Sequence, residues 1–152
     1  MNSIKLKEIT KSDLEGLQTL VEVIRTHYSN TSFPFTLEKA QNPALIFFRA
    51  FYQNEFIGVT GLDAKTPLLA ETIKTVILPE HRGKKLGALL SQAIEDECRR
   101  RGFKKVMTTI YADNHAMISI KLKQGYTIEG YHPDHEAPGF HEYSLGKILN
   151  LK

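Results

Sequence analysis

The sequence is poor in the residues that cross-link or anchor a small protein. Among its 152 residues there is one cysteine and no tryptophan. A single cysteine, Cys98, excludes an internal disulfide, and its spacing places it with the buried residues of a helix, as a small hydrophobe. No stretch approaches the roughly 20 consecutive apolar residues that span a bilayer, and the N-terminus lacks the apolar run of a secretory signal. We therefore expect a cytoplasmic protein that does not enter a membrane.

The sequence also has almost no excess of one sign of charge. Twenty Lys and Arg stand against 17 Asp and Glu, which gives a net charge of +3. This excess helps to attract a phosphorylated ligand but is too small to indicate a nucleic-acid binder. The basic cluster RRRGFKK, residues 99–105, is interpreted as a solvated helix end, where cations meet the negative pole of the helix dipole. With 41% hydrophobic residues, we expect a single domain over residues 1–152.

Hydrophobic periodicity predicts the element order β-α-α-β-β-β-α-β-α-β-β, an α/β fold with about seven strands and about four helices. The first helix is predicted to open with a capping box of Ser12 and Glu15, and the third to run from Gly83 to about Arg101. Gly125 is expected to end the last helix in the left-handed conformation. The strands before and after the third helix are expected to be parallel, because a helix joins them.

The most informative segment is LPEHRGKKLGALL, residues 78–90, in which a strand ends at a proline and a basic, glycine-containing turn leads into an amphipathic helix. The first amides of such a helix have no internal partner and the dipole is positive there, so the segment predicts a phosphate site. It contains neither a GxxxxGK[ST] loop nor a GxGxxG turn, which excludes both common nucleotide-binding motifs.

This segment, together with ADNHAMISIKLKQGYTIEG at residues 112–130, resembles the GNAT superfamily of N-acetyltransferases. The family's motif Q/R-x-x-G-x-G/A is matched by Arg82, Lys85 and Gly87, with Lys85 at the place of the central glycine. The resemblance covers nearly the whole chain. It implies a mixed, centrally splayed sheet, acetyl-CoA as cosubstrate and an amine as acceptor, with attack in a ternary complex that needs no Ser or Cys nucleophile.

The resemblance also implies which residues bind acetyl-CoA. A bulge in the strand before the turn would splay it from the next strand, so that the pantetheine arm pairs with backbone and the Ile77 amide polarises the thioester carbonyl. The implied cofactor residues are Val76, Ile77, Leu78, Arg82, Gly83, Lys84, Lys85, Leu86, Gly87, Ala88 and Asn114.

Proton transfer is where the sequence departs most from the family. Many members carry a tyrosine seven residues after the asparagine that opens the last helix, and from Asn114 that position is Lys121. Three roles stay open for Lys121: an acid for the departing thiolate, a contact to a cofactor phosphate, and a structural lysine that extends its head to solvent, the commonest of the three for a lone helical lysine. Tyr126 is a second candidate acid and Glu71 the preferred base; the other base candidates are Glu80, His81, Glu142 and a chain of waters.

The loop YHPDHEAPGFH, residues 131–141, is predicted to face Tyr28, Phe33 and Phe35 across the acceptor pocket, where carboxylates beside aromatic rings suit a cationic amine. Its histidines match no established zinc spacing, so no metal is expected. Two alternatives stay open: a non-catalytic acyl-CoA-binding sensor or interaction module, and a nucleic-acid binder built on residues 99–105. A homodimer that pairs through the final strand also stays open.

Overall fold

The computed structural model describes residues 3–28 and 34–149. Within these residues lie seven strands and four helices, and a 3-10 turn over Pro79–His81. In chain order they are β1 (Ile4–Ile9), α1 (Leu14–His27), α2 (Leu37–Ala40), β2 (Leu45–Tyr52), β3 (Glu55–Ala64), β4 (Leu69–Ile77), α3 (Leu86–Arg100), β5 (Lys105–Tyr111), α4 (His115–Lys123), β6 (Thr127–His132) and β7 (Glu142–Ile148). The predicted order and class are therefore confirmed.

The strands form one mixed sheet in the order β1-β2-β3-β4-β5-β7-β6. Every neighbouring pair is antiparallel except β4 and β5, which are parallel, as the helical connection predicts. This central pair is short: its register covers Leu69 to Glu71 against Lys105 to Met107 and then stops, although both strands continue. Beyond Glu71 the two strands diverge, so the expected central splay is present.

A bulge in β4 lies at the start of this divergence. The pairing of β3 with β4 shifts register between Val59 and Gly61, which places two residues of β4, Lys74 and Thr75, opposite the single residue Thr60 of β3. Lys74 has a φ of 50°, a left-handed conformation that few residues other than glycine adopt. A bulge bends and twists the strand that carries it, so Lys74 is the local cause of the gap between β4 and β5.

The two faces of the sheet bury separate cores. One face packs against α3 and α4 through residues such as Leu90, Ile94 and Ile110, and the other packs against α1 and α2. Cys98 lies in the first core and is fully buried, as predicted, and burial raises the pKa of its thiol to about 12. Side chains of one strand alternate between these faces, so the gap in the sheet can be reached from both.

Two helix starts differ from the prediction. The N-cap of α1 is Asp13, whose carboxylate accepts from the Gly16 amide at 2.9 Å, so the capping box of Ser12 and Glu15 is wrong. Asp13 competes successfully because an aspartate is as good a cap as a serine. Helix α3 begins at Leu86 rather than Gly83, because Lys85 has a φ of 61° and cannot continue a right-handed helix. Gly125, with a φ of 94°, follows α4 in the left-handed conformation, as predicted.

The last strand is not an edge of the sheet. Strand β7 pairs with β5 on one side and β6 on the other, so a dimer that pairs through β7 is wrong, and β6 is the strand at that edge. No helix in residues 3–28 and 34–149 is both long and apolar enough to span a bilayer.

Candidate active site

A cavity of about 660 Å³ fills the gap between β4 and β5. Residues from both diverging strands line it, together with the turn before α3, the first residues of α4 and the end of α1. Two polar atoms in its wall, Thr72 Oγ1 and Glu142 Oε2, are buried and have no hydrogen-bond partner in the described part of the chain. Buried polar atoms normally find partners, so these two mark the cavity as a place where a ligand supplies them.

At one end of the cavity, the turn before α3 is shaped for an anion. Gly83 and Lys85 both have positive φ, and the helix then starts at Leu86, so consecutive backbone amides are exposed near the positive pole of α3. Lys85 thus takes the left-handed conformation that glycine takes without strain, which explains how lysine replaces the family's central glycine. Of the predicted cofactor residues in this segment, Arg82, Gly83, Lys85, Leu86 and Gly87 line the cavity, whereas Lys84 and Ala88 do not.

The end of β4 presents its backbone to the same cavity. The Leu78 amide donates to the Ile57 carbonyl of β3 at 2.8 Å. Because hydrogen-bonded and non-bonded residues alternate along an antiparallel pair, the neighbouring Ile77 amide points away from β3 and into the gap. Arg82 Nε donates to the Ile77 carbonyl at 2.9 Å and so ties the turn to this strand end. Of the three strand residues expected to contact the cofactor, Val76 and Ile77 line the cavity and Leu78 does not.

Lys121 lies in the wall on the α3 and α4 side of the sheet. It is only 5% exposed, so the expectation of a head that extends to solvent is wrong. Its Nζ donates to Ser91 Oγ at 2.6 Å, and Ser91 in turn donates to Gln124 Oε1 at 2.6 Å. The ammonium also lies 4.6 Å from the centre of the Tyr126 ring. Burial lowers the pKa of Lys121 to about 8, against an opposing effect of Glu95.

The other two predicted catalytic residues lie outside the cavity wall. Glu71 forms an ion pair with Lys65 at 3.3 Å, and Tyr126 lies behind Lys121 in the core, 3% exposed. The Tyr126 hydroxyl has no hydrogen-bond partner in the described residues, and burial raises its pKa. Asn114 lines the cavity and caps α4 through its side chain, which accepts from the Met117 amide.

Glu142 lines the cavity from the opposite face of the sheet. It pairs with Tyr111 across β5 and β7, and its neighbour Tyr143 packs into the α3 core, so alternation turns Glu142 toward α1. The side chain is 4% exposed. Burial raises the pKa of its carboxyl, and a hydrogen bond from Thr109 opposes that effect. Glu142 and Lys121 therefore approach the gap from its two sides.

The aromatic side of the predicted acceptor pocket is present in part. Tyr28 lines the cavity, and Glu136 and Glu142 lie close enough to contribute to the raised pKa of its hydroxyl, which burial mainly causes. Phe35 is buried against Phe47, at 5.4 Å between ring centres, so it belongs to the core and not to the pocket. Phe33 lies outside the described residues.

Two further features of the sequence have structural roles. Arg99 pairs with Glu95 at 2.7 Å, and Arg101 pairs with both Glu97 and Glu8, so much of the basic cluster is neutralised within the chain. In the loop of residues 131–141, no group of three metal-ligating side chains comes together among the described residues.

Sequence reasoning missed Lys74 and Ser91. Lys74 lies in the bulge and lines the cavity, with Nζ 4.6 Å from the Tyr28 ring centre. Ser91 also lines the cavity, and its Oγ accepts a hydrogen bond from the Lys121 ammonium. Ser91 falls on the cavity-facing side of α3, a position that helical periodicity could have identified. No local signal marks the bulge, because it depends on the pairing of β4 with β3.

Comparison with known proteins agrees with this geometry. The sequence profile of the acetyltransferase (GNAT) family matches residues 12–126, which is most of the chain. The chain belongs to the GNAT family. It is therefore an N-acetyltransferase with acetyl-CoA as its cosubstrate, as the sequence motif indicated. No curated protein matches the chain.

Solved GNAT structures share the fold at low sequence identity. An aminoglycoside 6'-acetyltransferase type Ii superposes with a TM-score of 0.77 at 19% identity, covering 97% of this chain and 99% of that one. The RimL acetyltransferase of ribosomal protein L7/L12, in complex with coenzyme A, gives 0.76 at 17%, covering 100% and 97%. Spermidine N-acetyltransferase from Vibrio cholerae, with CoA and spermine, gives 0.75 at 15%, covering 96% and 95%. At such identities the likeness shows the fold alone.

Proposed function

We propose that this chain transfers an acetyl group from acetyl-CoA to a primary amine by direct attack within a ternary complex. One observation supports this best: a single cavity joins a backbone anion site to a buried carboxylate on one face of the sheet and a buried ammonium on the other. Acetyl transfer needs a neutral amine, a donor to the developing oxyanion and a proton for the departing thiolate. The carboxylate and the ammonium correspond to the first and the last of these needs, and the Ile77 amide at the end of β4 corresponds to the second.

For the cofactor, we assign the phosphates to the turn from Arg82 to Gly87 and to the first amides of α3. The pantetheine arm would lie along the end of β4, where the Ile77 amide points into the gap. That amide would donate to the carbonyl oxygen of the thioester as negative charge develops on it.

For the proton to the thiolate, we assign Lys121. Its pKa of about 8 is near the ordinary thiol value of about 8.5, so the proton would transfer with little change in free energy. An ammonium has three donors, and Ser91 accepts one of them, which leaves donors for the sulfur. Tyr126 would act through Lys121, as the ring that the ammonium contacts.

For the proton of the amine, Glu142 is better placed than Glu71. Glu142 lines the cavity with one unpartnered oxygen, whereas Glu71 is held by Lys65 outside the wall. A carboxyl whose pKa is raised by burial accepts a proton more readily than an ordinary one. We therefore assign the base to Glu142, and the role of Glu71 remains a prediction.

The first experiment is a calorimetric titration of acetyl-CoA into the wild-type protein, Arg82→Glu and Lys104→Glu. The two variants make the same charge change, but Lys104 is exposed and does not line the cavity. We expect saturable one-site binding that Arg82→Glu weakens about 10- to 100-fold, because a carboxylate then faces the phosphates. Lys104→Glu should bind like the wild type. Absence of binding at millimolar acetyl-CoA would overturn the assignment of the cofactor site.

A second measurement separates an enzyme from a sensor. Release of free CoA thiol is followed with a panel of primary amines at saturating acetyl-CoA. Steady release with any amine excludes the non-catalytic alternative. Tight binding of acetyl-CoA without release by any member of a broad panel would favour it.

A further inference from the structure

The acceptor end of the cavity contains a cation that the acetyl transfer does not use. Lys74 protrudes from the β4 bulge, lines the cavity and lies over the Tyr28 ring at 4.6 Å. Within residues 3–28 and 34–149 its ammonium forms no ion pair. Lys65, by contrast, pairs with both Asp63 and Glu71 on the neighbouring stretch of the same sheet face. Of these two lysines, Lys65 is thus ion-paired, whereas Lys74 forms no ion pair within the described residues.

Lys74 and Glu142 face the same cavity but do not pair with each other. Burial lowers the pKa of Lys74, and the nearby Glu136 and Glu142 oppose this effect through their charge. A half-buried ammonium that contacts the face of one ring keeps most of its donors unused, and Glu142 keeps one oxygen unused. A positive and a negative charge that both lack an ion pair are costly in a cavity of low polarity unless a ligand pairs with them.

A simple amine would meet only one of these charges. Its nitrogen would approach Glu142, and the Lys74 ammonium would then repel it and still form no ion pair. A molecule that carries an amine and a carboxylate would satisfy both groups. Building on the proposed function, we propose that the acceptor is an amino acid, or a similar amine with a carboxylate group, whose amine meets Glu142 and whose carboxylate meets Lys74.

A purely structural Lys74 makes a different prediction. If the lysine served only to cover Tyr28, its loss would affect all acceptors alike, because the cation–π contact is the same for each. As a receptor for the carboxylate, Lys74 discriminates between acceptors that differ in that group alone. The two roles are therefore distinguished by the ratio of kcat/KM between two acceptors that differ only in the carboxylate, and not by kcat/KM for either acceptor alone.

The experiment uses matched pairs of acceptors, each an amino acid and the amine that remains when its carboxylate is removed. One set consists of α-amino acids with side chains of different size, and a second of unbranched ω-amino acids of increasing length with the corresponding alkylamines. kcat/KM is measured for both members with the wild type, Lys74→Met, Lys74→Arg and the control Lys123→Met, whose side chain is exposed on α4. Methionine keeps the stem that covers Tyr28 and removes the charge.

For at least one pair, Lys74→Met should lower kcat/KM for the acid about 10- to 100-fold and change that for its amine less than about threefold, as expected for a charged hydrogen bond. Each acceptor is compared between the variant and the wild type, so the different basicities of the two amines do not affect the result. Lys74→Arg should retain the preference, and Lys123→Met should match the wild type. The inference is overturned if Lys74→Met lowers both members of every pair equally, while the proposed function stands. If acetyl-CoA binds but no amine releases thiol, both fail.

Discussion

The two ends of the cavity are built from different parts of the chain. The cofactor end consists of one continuous segment, Ile77 to Gly87, and presents mainly backbone amides. The acceptor end collects single side chains from α1, β4, β5 and β7, with Tyr28 and Glu142 more than a hundred residues apart in sequence. A shared cosubstrate can be held by backbone that any family member supplies, whereas an acceptor is selected by side chains that each member can change. This difference predicts that substitutions at the two ends will separate binding of acetyl-CoA from turnover.

The largest separation of turnover from acetyl-CoA binding is expected for Glu142→Gln. The amide keeps the shape of the carboxyl but cannot take a proton, so kcat/KM for the amine should fall about 100- to 1000-fold. The dissociation constant of acetyl-CoA should change less than about threefold, because Glu142 lies on the other side of the gap from α3. Steady-state kinetics and calorimetry on the same preparation test both statements. Glu71→Gln is the matched control, and a larger loss there than at Glu142 would return the base to Glu71.

The second largest effect is expected for Lys121→Met, because it removes the proposed acid on the cofactor side of the gap. We expect kcat at pH 7 to fall about 10- to 100-fold, with the dissociation constant of acetyl-CoA nearly unchanged. In the wild type, kcat should decline as the pH rises through about 8, because Lys121 then loses the proton that it donates. The variant should lack this decline. An unchanged turnover number in Lys121→Met would exclude the acid role.

The same lysine should also make stability depend on pH. Its pKa is about 8 in the folded protein against 10.5 in the unfolded chain, so the unfolded chain binds more protons between these values. Stability due to this group therefore rises with pH across that window and is lowest below pH 8. From pH 7.5 to 9.5, the free energy of unfolding of the wild type should gain about 1–2 kcal/mol relative to Lys121→Met. Urea titrations at the two pH values test this, and Lys123→Met should behave like the wild type.

The smallest effect concerns the two lysines of the turn. Lys85→Gly should leave the free energy of unfolding within about 1 kcal/mol of the wild type or raise it, because relief of the left-handed strain offsets the flexibility of glycine. Lys84 has no positive φ, so Lys84→Gly should destabilise by about 0.5–1 kcal/mol. Acetyl-CoA affinity should survive in Lys85→Gly. Equal destabilisation by the two substitutions would contradict the conformation given to Lys85.

Local patterns in the sequence predicted the turn and the helix that line the proposed cofactor end of the cavity. The proline after β4, the glycines of the turn and the periodicity of α3 are neighbours in sequence and interact as neighbours, so the anion site could be inferred before the sheet was known. The exact start of α3 could not, because nothing local shows that Lys85 takes a glycine-like φ. Likewise, Ser12 was predicted to cap α1, and only the structure shows that Asp13 does so.

The surroundings of the proposed acid and base are decided by tertiary structure. Whether Lys121 extends to solvent or into the cavity depends on Ser91 and Tyr126, which other elements bring to it. The preference for Glu142 over Glu71 depends on strand alternation in β7 and on Lys65, which holds Glu71. By itself, the sequence determined the family, the order of elements and the segment proposed to bind acetyl-CoA, since these follow from local spacing. Only the folded sheet decided which charges face the acceptor, because pairing register and the bulge at Lys74 bring distant residues to one gap.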